Sequence, residues 1–462
     1  MNDQNHTAGT WGATWGGHPK GVYFLAFTEL WERFSFYGMT SLLSLYMVKQ
    51  LLLPGHADHV AGLASLRHVF ELRAPITNLA FAALIYGWYS GLVYFTPIAG
   101  GWIADRVLGA NRTVMLGAAL MGAGHLAMAF DASFLLALLL LILGSGCLKG
   151  NISAQVGTLY PADAESLRSR GFTIFSTGIN IGAVAGPLVT GTVAAIYGWH
   201  AGFGVAAVLM LVALLTYIFG QRYLPPSRPL GERRERRAAL NPAERRRIWA
   251  LFAVIALTIP AEIAYPMVWS LGIIWVDQQV NLTSMLGTVP ASWFNSVDSF
   301  GSILAAPVLL VLWRWQATRG NEPDSLGKMG IGMVIIAVGA LILAAGSALA
   351  PAPGRVAVGW ALGGFLVMGL AWMYYWPTTL ALVSKSAPRS VTGAMMGAAF
   401  LSPFIAHTMA GWVGSFYDQM TPATFWTMDA GIAAVGAALM FALRGPLGRV
   451  IDEPLGAMAV QD

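Results

Sequence analysis

Long apolar stretches recur along the whole chain and are separated by short polar segments. A membrane-spanning helix needs about 20 mostly apolar residues. Twelve stretches meet this requirement, at residues 22–50, 76–103, 113–131, 134–157, 171–194, 199–220, 248–279, 291–315, 328–350, 355–384, 390–417 and 423–444. The pattern predicts an all-α membrane protein with twelve transmembrane helices.

The composition supports this class. Of 462 residues, 56% are hydrophobic and 11% are charged, whereas charged residues make up about 25% of a typical soluble domain. A water-soluble enzyme and a disordered chain are therefore excluded. Cys147 is the single cysteine of the sequence, so the chain forms no intramolecular disulfide.

The longest polar segment lies in the middle of the chain and contains nine arginines. It separates six apolar stretches from six more, which is typical of the major facilitator fold with its two six-helix bundles and a substrate site near the membrane midplane. An alternative role for the segment is binding of a lipid headgroup or a partner. The predicted parts are an N-terminal tail (1–21), a first bundle (22–220), a basic linker (221–247), a second bundle (248–444) and a C-terminal tail (445–462).

The distribution of basic residues predicts the orientation. The net charge of +5 would suggest nucleic acid as a partner of a soluble protein, but in a membrane protein it is assigned loop by loop. The outer segments then contain only Lys49, Arg67, Arg73 and Arg355, and most other Lys and Arg residues lie inside. We therefore expect both termini in the cytoplasm, the lipid bilayer as a partner, and no nucleic acid. The N-terminal tail lacks the pattern of a cleavable signal peptide.

Three charged residues interrupt the first apolar stretch. Glu29, Glu32 and Arg33 are spaced by three and four residues, which places them on one helical face. Tyr37 continues that face. Ionisable groups inside a membrane span are costly and are functional candidates by default. Two carboxylates beside one guanidinium suit a proton relay, and the alternative is a buried ion network that stabilises helix packing.

Lys149 lies well inside the fourth stretch, among Gly144, Gly146 and Gly150. The glycines permit close approach of another helix. A buried lysine readily changes its protonation, so Lys149 is a candidate for binding a substrate carboxylate or exchanging protons with one. The alternative, a lysine that reaches the membrane surface, fits its central position less well.

The second half of the chain contributes further candidates. Asp298 lies in the eighth stretch, and Asp277 ends the seventh beside Gln278. Both acids are candidates for a water-filled cavity, and Asp277 is equally a candidate for an interfacial cap. The segment 372–377, which includes Trp372 and Tyr375, predicts a pocket wall, and the alternatives are an interfacial aromatic belt or core packing.

The sequence contains no motif for ATP-driven transport or for metal binding. We find no phosphate-binding loop or ATP-cassette motif, which gives primary active transport no support. His56, His59 and His68 do not have the spacing of metal ligands. We therefore expect no cofactor, no metal and no enzymatic activity.

Several segments together resemble one known family. The stretches His18–Gly21 and Glu29–Gly38 resemble the E-x-x-E-R-F-x-Y-Y-G signature of the proton-dependent oligopeptide transporter family, which belongs to the major facilitator superfamily. Segments 100–106, 148–161, 172–182, 289–294 and 385–396 are also similar to that family. The resemblance covers nearly the whole chain and is strongest in its first half.

The resemblance implies a symporter that couples inward proton movement to uptake of di- and tripeptides. It implies proton coupling by Glu29, Glu32, Arg33 and Lys149. It further implies that the substrate-binding residues include Tyr37, Tyr89, Lys149 and Asn180. Asp277–Gln278 or Gln278–Gln279 aligns with the family's Glu-Gln pair in the seventh helix.

Five positions depart from the family pattern: Phe36, Thr40, Asp298, Trp372 and Ala399. The first signature tyrosine is Phe36, and the tenth-helix glutamate that pairs with the lysine in the family falls on Trp372. Asp298 replaces the asparagine that helps to bind the peptide amine, so it is a candidate for supplying the missing negative charge. We therefore add Asp298, Trp372 and Tyr375 to the predicted substrate-binding residues.

These observations predict a functional monomer in a bacterial-type inner membrane that imports peptides or peptide-like small molecules with protons by alternating access. One alternative keeps the fold but changes the cargo to a non-peptide organic anion or a modified amino acid. A transport-inactive sensor and a membrane-embedded enzyme fit the sequence less well.

Overall fold

The computed structural model describes residues 12–72, 74–161, 164–227, 240–284, 287–351, 355–388 and 390–453. Within them the chain is almost entirely helical. Its α-helices are α1 (Lys20–Tyr46), α2 (Leu63–Phe70), α3 (Asn78–Ile103), α4 (Ala110–Ala127), α5 (Phe134–Thr158), α6 (Glu165–Tyr197), α7 (Trp199–Gly220), α8 (Pro242–Ala264), α9 (Met267–Gln279), α10 (Trp293–Thr318), α11 (Ser325–Ala348), α12 (Val358–Ser386), α13 (Thr392–Gly414) and α14 (Pro422–Asp452).

Two short hairpins complete the regular structure. Strand β1 (Thr14–Trp15) pairs antiparallel with β2 (His18–Pro19), with Trp15 opposite His18. Strand β3 (Thr283–Ser284) pairs antiparallel with β4 (Gly287–Thr288). The first hairpin places His18 directly before α1, where its Nδ1 lies 2.9 Å from the Tyr160 hydroxyl.

Each of the twelve predicted membrane stretches falls on helical structure, and the all-helical fold class is confirmed. The seventh stretch is broken into α8 and α9 at Tyr265 and Pro266, because a proline within a helix removes a backbone hydrogen bond. Nine segments of the described residues are long and apolar enough to cross a membrane, and the predicted spans outside that set lie on α1, α4 and α13.

The chain divides into two compact units, and the division does not follow chain order. The first unit comprises Met1–Ile76 and Leu92–Arg233, and the second comprises Thr77–Gly91 and Arg234–Asp462. Helix α3 therefore contributes residues to both units. The predicted linker lies partly outside the described residues, which omit 228–239 and also Arg73. Helix α8 begins after it with a capping box, in which Asn241 and Glu244 satisfy each other's backbone amides.

In the first unit, a glycine stripe on α6 brings this helix against α1. A Cβ atom on Gly182 would lie 2.6 Å from the Leu30 carbonyl oxygen, and one on Gly186 would lie 2.6 Å from the Phe34 carbonyl oxygen. Thr190 extends the contact by donating a hydrogen bond to the Gly38 carbonyl at 3.0 Å. Small residues at such positions let two membrane helices pack backbone to backbone.

Helices α3 and α5 make an equally close contact in the same unit. Gly100 faces Gly146, and a Cβ atom on Gly100 would clash with the Gly146 carbonyl oxygen and lie 2.9 Å from Cys147 Cα. Thr96 supports the contact by donating a hydrogen bond to the Ile142 carbonyl at 2.9 Å. Since Lys149 lies less than one turn beyond Gly146, this contact fixes its helix against α3.

We expect Gly100→Ala to lower the free energy of unfolding by about 1–3 kcal/mol, the usual cost of overpacking a tight contact. The measurement is thermal unfolding of the purified protein in detergent. Gly101→Ala is the matched control, since a Cβ atom there has no neighbour within 4 Å. Equal melting temperatures for both variants would contradict the proposed contact.

In the second unit, α10 and α12 pack in the same way. Gly369 of α12 lies against the backbone of Asp298, such that an added Cβ atom would clash with the Asp298 carbonyl oxygen. Ser302 donates a hydrogen bond to the Gly369 carbonyl at 2.8 Å. The close backbone contact holds the part of α10 that carries Asp298 beside the aromatic segment of α12.

Candidate functional site

The three charged residues of α1 form one buried ion cluster in the first unit. Arg33 Nε lies 2.9 Å from Glu29 Oε1 and 2.6 Å from Glu32 Oε2. All three residues are buried, and Glu32 is fully enclosed. Tyr37 lies one helical turn after Arg33, close enough for the guanidinium charge to act on its hydroxyl. A single guanidinium thus balances two carboxylates, so a proton taken up by either acid changes the net charge of the cluster.

Lys149 lies near this cluster, but among the described residues its ammonium contacts aromatic rings and not a carboxylate. It is half-buried on α5, close enough to Glu29, Glu32 and Arg33 for their charges to act on it. Its Nζ lies 4.4 Å from the centroid of the Phe36 ring and 5.3 Å from that of Tyr94. Within the described part of the chain, Lys149 makes no ion pair shorter than 4.0 Å. The immediate partners of the Lys149 ammonium are therefore aromatic faces.

A second cluster surrounds Asp298 in the second unit. The carboxylate is almost fully buried. Its Oδ2 accepts hydrogen bonds from the Tyr265 hydroxyl at 2.9 Å and from Trp269 Nε1 at 3.1 Å. Among the described residues, its Oδ1 has no hydrogen-bond partner. A buried carboxylate oxygen without a donor is costly, so this oxygen is suited to a donor that arrives with a ligand or to a proton.

Aromatic rings of α12 pack against the same cluster. The Trp372 ring stacks on that of Tyr265 with centroids 5.1 Å apart, and Tyr375 meets Tyr265 edge to face at 6.4 Å. Trp376 stacks on Trp372 at 5.8 Å. Asp298, Trp372 and Tyr375, which the sequence marked separately, are thus brought together around Tyr265. These ring contacts pack the aromatic segment against other side chains of the second unit, which argues against the interfacial belt.

A buried glutamate of α8 forms a further polar group in the second unit. Glu262 Oε2 accepts a hydrogen bond from the Ser402 hydroxyl at 3.0 Å, and Thr258 lies 3.0 Å from the same hydroxyl. In the sequence, Glu262 lies between Pro260 and Pro266. Ser402 lies 140 residues away along the chain, so no local pattern would have revealed the contact.

Other predicted residues lie outside these two clusters. Asn180 is exposed on α6, and Gln278 is exposed near the end of α9. Asp277 is half-buried beside Gln278, and Tyr89 is buried on the part of α3 that belongs to the second unit. Tyr94, Tyr265 and Trp269 were missed by sequence reasoning, because only the packing of distant segments brings them to the charged residues.

Two histidines of the first unit, His56 and His200, contact the carboxylate of Asp131. Asp131 Oδ1 lies 2.7 Å from His200 Nε2, and Asp131 Oδ2 lies 2.8 Å from His56 Nδ1. Asp131 Oδ1 also accepts a hydrogen bond from the Tyr46 hydroxyl at 2.6 Å. No group of His, Cys, Asp and Glu side chains in the described ranges has the arrangement of a metal site.

Comparison with known proteins decides the family. The sequence model of the POT family matches residues 111–243 and 234–428. The chain belongs to the POT family. It is 27% identical over 506 residues to the di-/tripeptide transporter of Lactococcus lactis subsp. cremoris, with 95% of this chain and 98% of the relative covered. It is 28% identical over 533 residues to the peptide transporter YePEPT of Yersinia enterocolitica, with 99% of both chains covered.

Solved structures of POT transporters have the same fold. A crystal structure of a POT peptide transporter in complex with alafosfalin superposes with a TM-score of 0.82 at 25% identity, with 95% of this chain and 97% of that chain covered. The predicted resemblance and the major facilitator fold are thereby confirmed. The protein is a multi-pass membrane transporter and not an enzyme, since POT proteins are transporters.

Proposed function

We propose that this chain is a proton-coupled symporter that imports di- and tripeptides or peptide-like small molecules by alternating access. The observation that carries the proposal is the buried Glu29–Glu32–Arg33 cluster with Lys149 nearby, in a member of the POT family. Relatives that are named peptide transporters support a peptide cargo. Burying several ionisable groups in a membrane span is costly and is retained where protons or ions move.

In this proposal the first-unit cluster couples protons to transport. An external proton neutralises one carboxylate of the pair Glu29 and Glu32. The Arg33 guanidinium then loses part of its compensation, and the balance of electrostatic attraction around Lys149 changes. A ligand shifts a conformational equilibrium only through different affinities for the two states. We therefore assign proton coupling to Glu29, Glu32, Arg33 and Lys149, with the proton favouring the state that binds substrate more tightly.

Each unit has its own candidate groups for binding a peptide. Lys149 is the group that suits the substrate carboxylate, with Tyr37 beside the Arg33 guanidinium. Asp298 suits the substrate amine, because its Oδ1 lacks a donor among the described residues, and Trp372 and Tyr375 pack around its partner Tyr265. Tyr89 and Asn180 are further proposed substrate-binding residues, and Asp277 and Gln278 remain candidates for an accessory role.

We propose a bacterial-type inner membrane as the location, with both termini in the cytoplasm and a monomer as the functional unit. The positive-inside rule supports this orientation, since exposed arginines such as Arg222, Arg245 and Arg246 border the middle segment. We also propose bundles at 22–220 and 248–444, joined by the linker 221–247 between tails 1–21 and 445–462.

The test is uptake of labelled dialanine into proteoliposomes with and without an inward proton gradient. We expect accumulation above the external concentration only with the gradient, and its loss when a protonophore is added. Liposomes without protein are the control for leakage. Uptake that equilibrates but never exceeds the external concentration, at any gradient, would reject proton coupling.

The second candidate function is transport of a non-peptide organic anion or a modified amino acid. It is favoured by Trp372, which replaces the family's glutamate and so removes a negative charge that would bind a substrate amine. The comparison is competition of labelled dialanine uptake by free-amine and N-acetylated dipeptides. Stronger competition by the free-amine compounds is expected if Asp298 binds the amine. If the N-acetylated compounds compete equally or better, the substrate lacks a free amine and the second candidate replaces the first.

A further inference from the structure

Phe36 lies between two cationic groups of the first unit. The Lys149 ammonium is 4.4 Å from the centroid of its ring, and the Arg33 guanidinium carbon is 5.5 Å from the same centroid. Both distances are inside the range of about 6 Å in which a cation is attracted by an aromatic face. Tyr94 of α3 adds a second face at 5.3 Å from the ammonium. Three helices, α1, α3 and α5, therefore meet at the lysine.

The two acids near Lys149, Glu29 and Glu32, form ion pairs with Arg33. Arg33 Nε contacts Glu29 at 2.9 Å and Glu32 at 2.6 Å. A guanidinium binds carboxylates with several fixed donors, whereas an aromatic face offers a cation a weaker contact of about 0.5–2 kcal/mol. An arriving carboxylate therefore offers the ammonium a stronger partner than either aromatic face does.

We propose that Phe36 is a positioning residue for Lys149, whose ring, with that of Tyr94, holds the ammonium apart from the Glu29–Arg33 network and leaves it available to a substrate carboxylate. The inference rests on the proposed carboxylate-binding role of Lys149. The contact with the ammonium is made by the aromatic face. The hydroxyl that a tyrosine at this position would add is therefore not needed for positioning Lys149. Substitutions that keep a ring should therefore preserve the role, and aliphatic ones should remove it.

The first test reads the contact without any substrate. Reductive methylation with ¹³C-formaldehyde labels the lysines, and the Lys149 resonance is assigned with Lys149→Arg. We expect an upfield ring-current shift of this resonance, reduced in Phe36→Leu, where the Tyr94 ring still faces the ammonium, and kept in Phe36→Tyr. Phe27→Leu is the matched control, since Phe27 lies on the same helix with its side chain exposed. An unshifted resonance in the wild type would overturn the proposed contact.

The second test measures the consequence for binding. We compare the affinity for dialanine with that for its C-terminal amide, which lacks the carboxylate. Phe36→Leu should reduce the preference for dialanine about tenfold, a change that one cation–π contact is strong enough to cause. Phe36→Tyr and Phe27→Leu should retain the wild-type preference. Thermal unfolding checks that each variant is folded.

Three outcomes separate the claims. A folded Phe36→Leu protein with the wild-type preference for dialanine would overturn the positioning role even if the ring-current shift is reduced. Equal reduction of both affinities would also overturn it, because a general packing defect does not distinguish the carboxylate. Equal binding of the two ligands by the wild type would reject carboxylate recognition at Lys149, and with it the positioning role, while the ring-current shift would still report the contact.

Discussion

Lys149→Ala is expected to abolish gradient-driven accumulation of dialanine. Among the described residues, no carboxylate lies within 4.0 Å of the Lys149 ammonium. Truncating one partner of a buried charge pair costs about 2–5 kcal/mol, equivalent to about 30-fold to several thousand-fold in affinity. The measurement is initial uptake into proteoliposomes under a fixed proton gradient, over a range of dialanine concentrations.

Lys49→Ala is the matched control for this experiment. It also removes a lysine, but Lys49 is exposed in the short helical segment Met47–Leu51 that follows α1. We expect it to transport like the wild type. Full accumulation by a folded Lys149→Ala protein would show that the ammonium is dispensable for both substrate and proton, and the proposed mechanism would fail.

Local spacing predicted the charge cluster because its members share one helix. Glu29, Glu32 and Arg33 lie within five residues, so the helical repeat alone places their side chains together. The structure adds only which atoms meet. The same reasoning found the apolar stretches, since the length of a membrane span is determined by the thickness of the bilayer.

The surroundings of Lys149 and Asp298 depend on contacts between distant segments. Phe36 and Lys149 are separated by more than 100 residues, and Tyr265 lies 33 residues from Asp298. Such pairs are determined by which helices pack and how closely, as at Gly100 and Gly146. Glycines mark a possible close contact in the sequence but do not identify the neighbour.

In the seventh stretch, the helix break at Pro266 lies between two residues that bind Asp298. Pro260 stays inside α8, whereas Pro266 ends the helical run, and α9 begins at Met267. The break places Tyr265 and Trp269 on either side of it, and both donate hydrogen bonds to Asp298. A proline marks a possible break in a helix, but nothing near it in the sequence shows that the residues beside the break hold an acid of α10.

Glu32→Gln is expected to impair proton-driven accumulation far more than exchange. Glu32 is fully buried with its Oε2 2.6 Å from Arg33 Nε, and glutamine keeps its size while remaining neutral. The variant therefore resembles the protonated cluster at every pH and has one proton acceptor fewer. Exchange of labelled for unlabelled dialanine needs no net proton movement, so it should continue.

The two activities are measured in the same proteoliposomes, accumulation with an inward proton gradient and counterflow without one. Glu322→Gln is the control, because Glu322 is an exposed acid paired with Lys328. We expect it to leave both activities intact. Parallel loss of accumulation and counterflow in Glu32→Gln would assign Glu32 to substrate binding or to helix packing. Retention of both would place the coupling proton on another acid, and Glu29, which shares the Arg33 guanidinium, would be the next to replace.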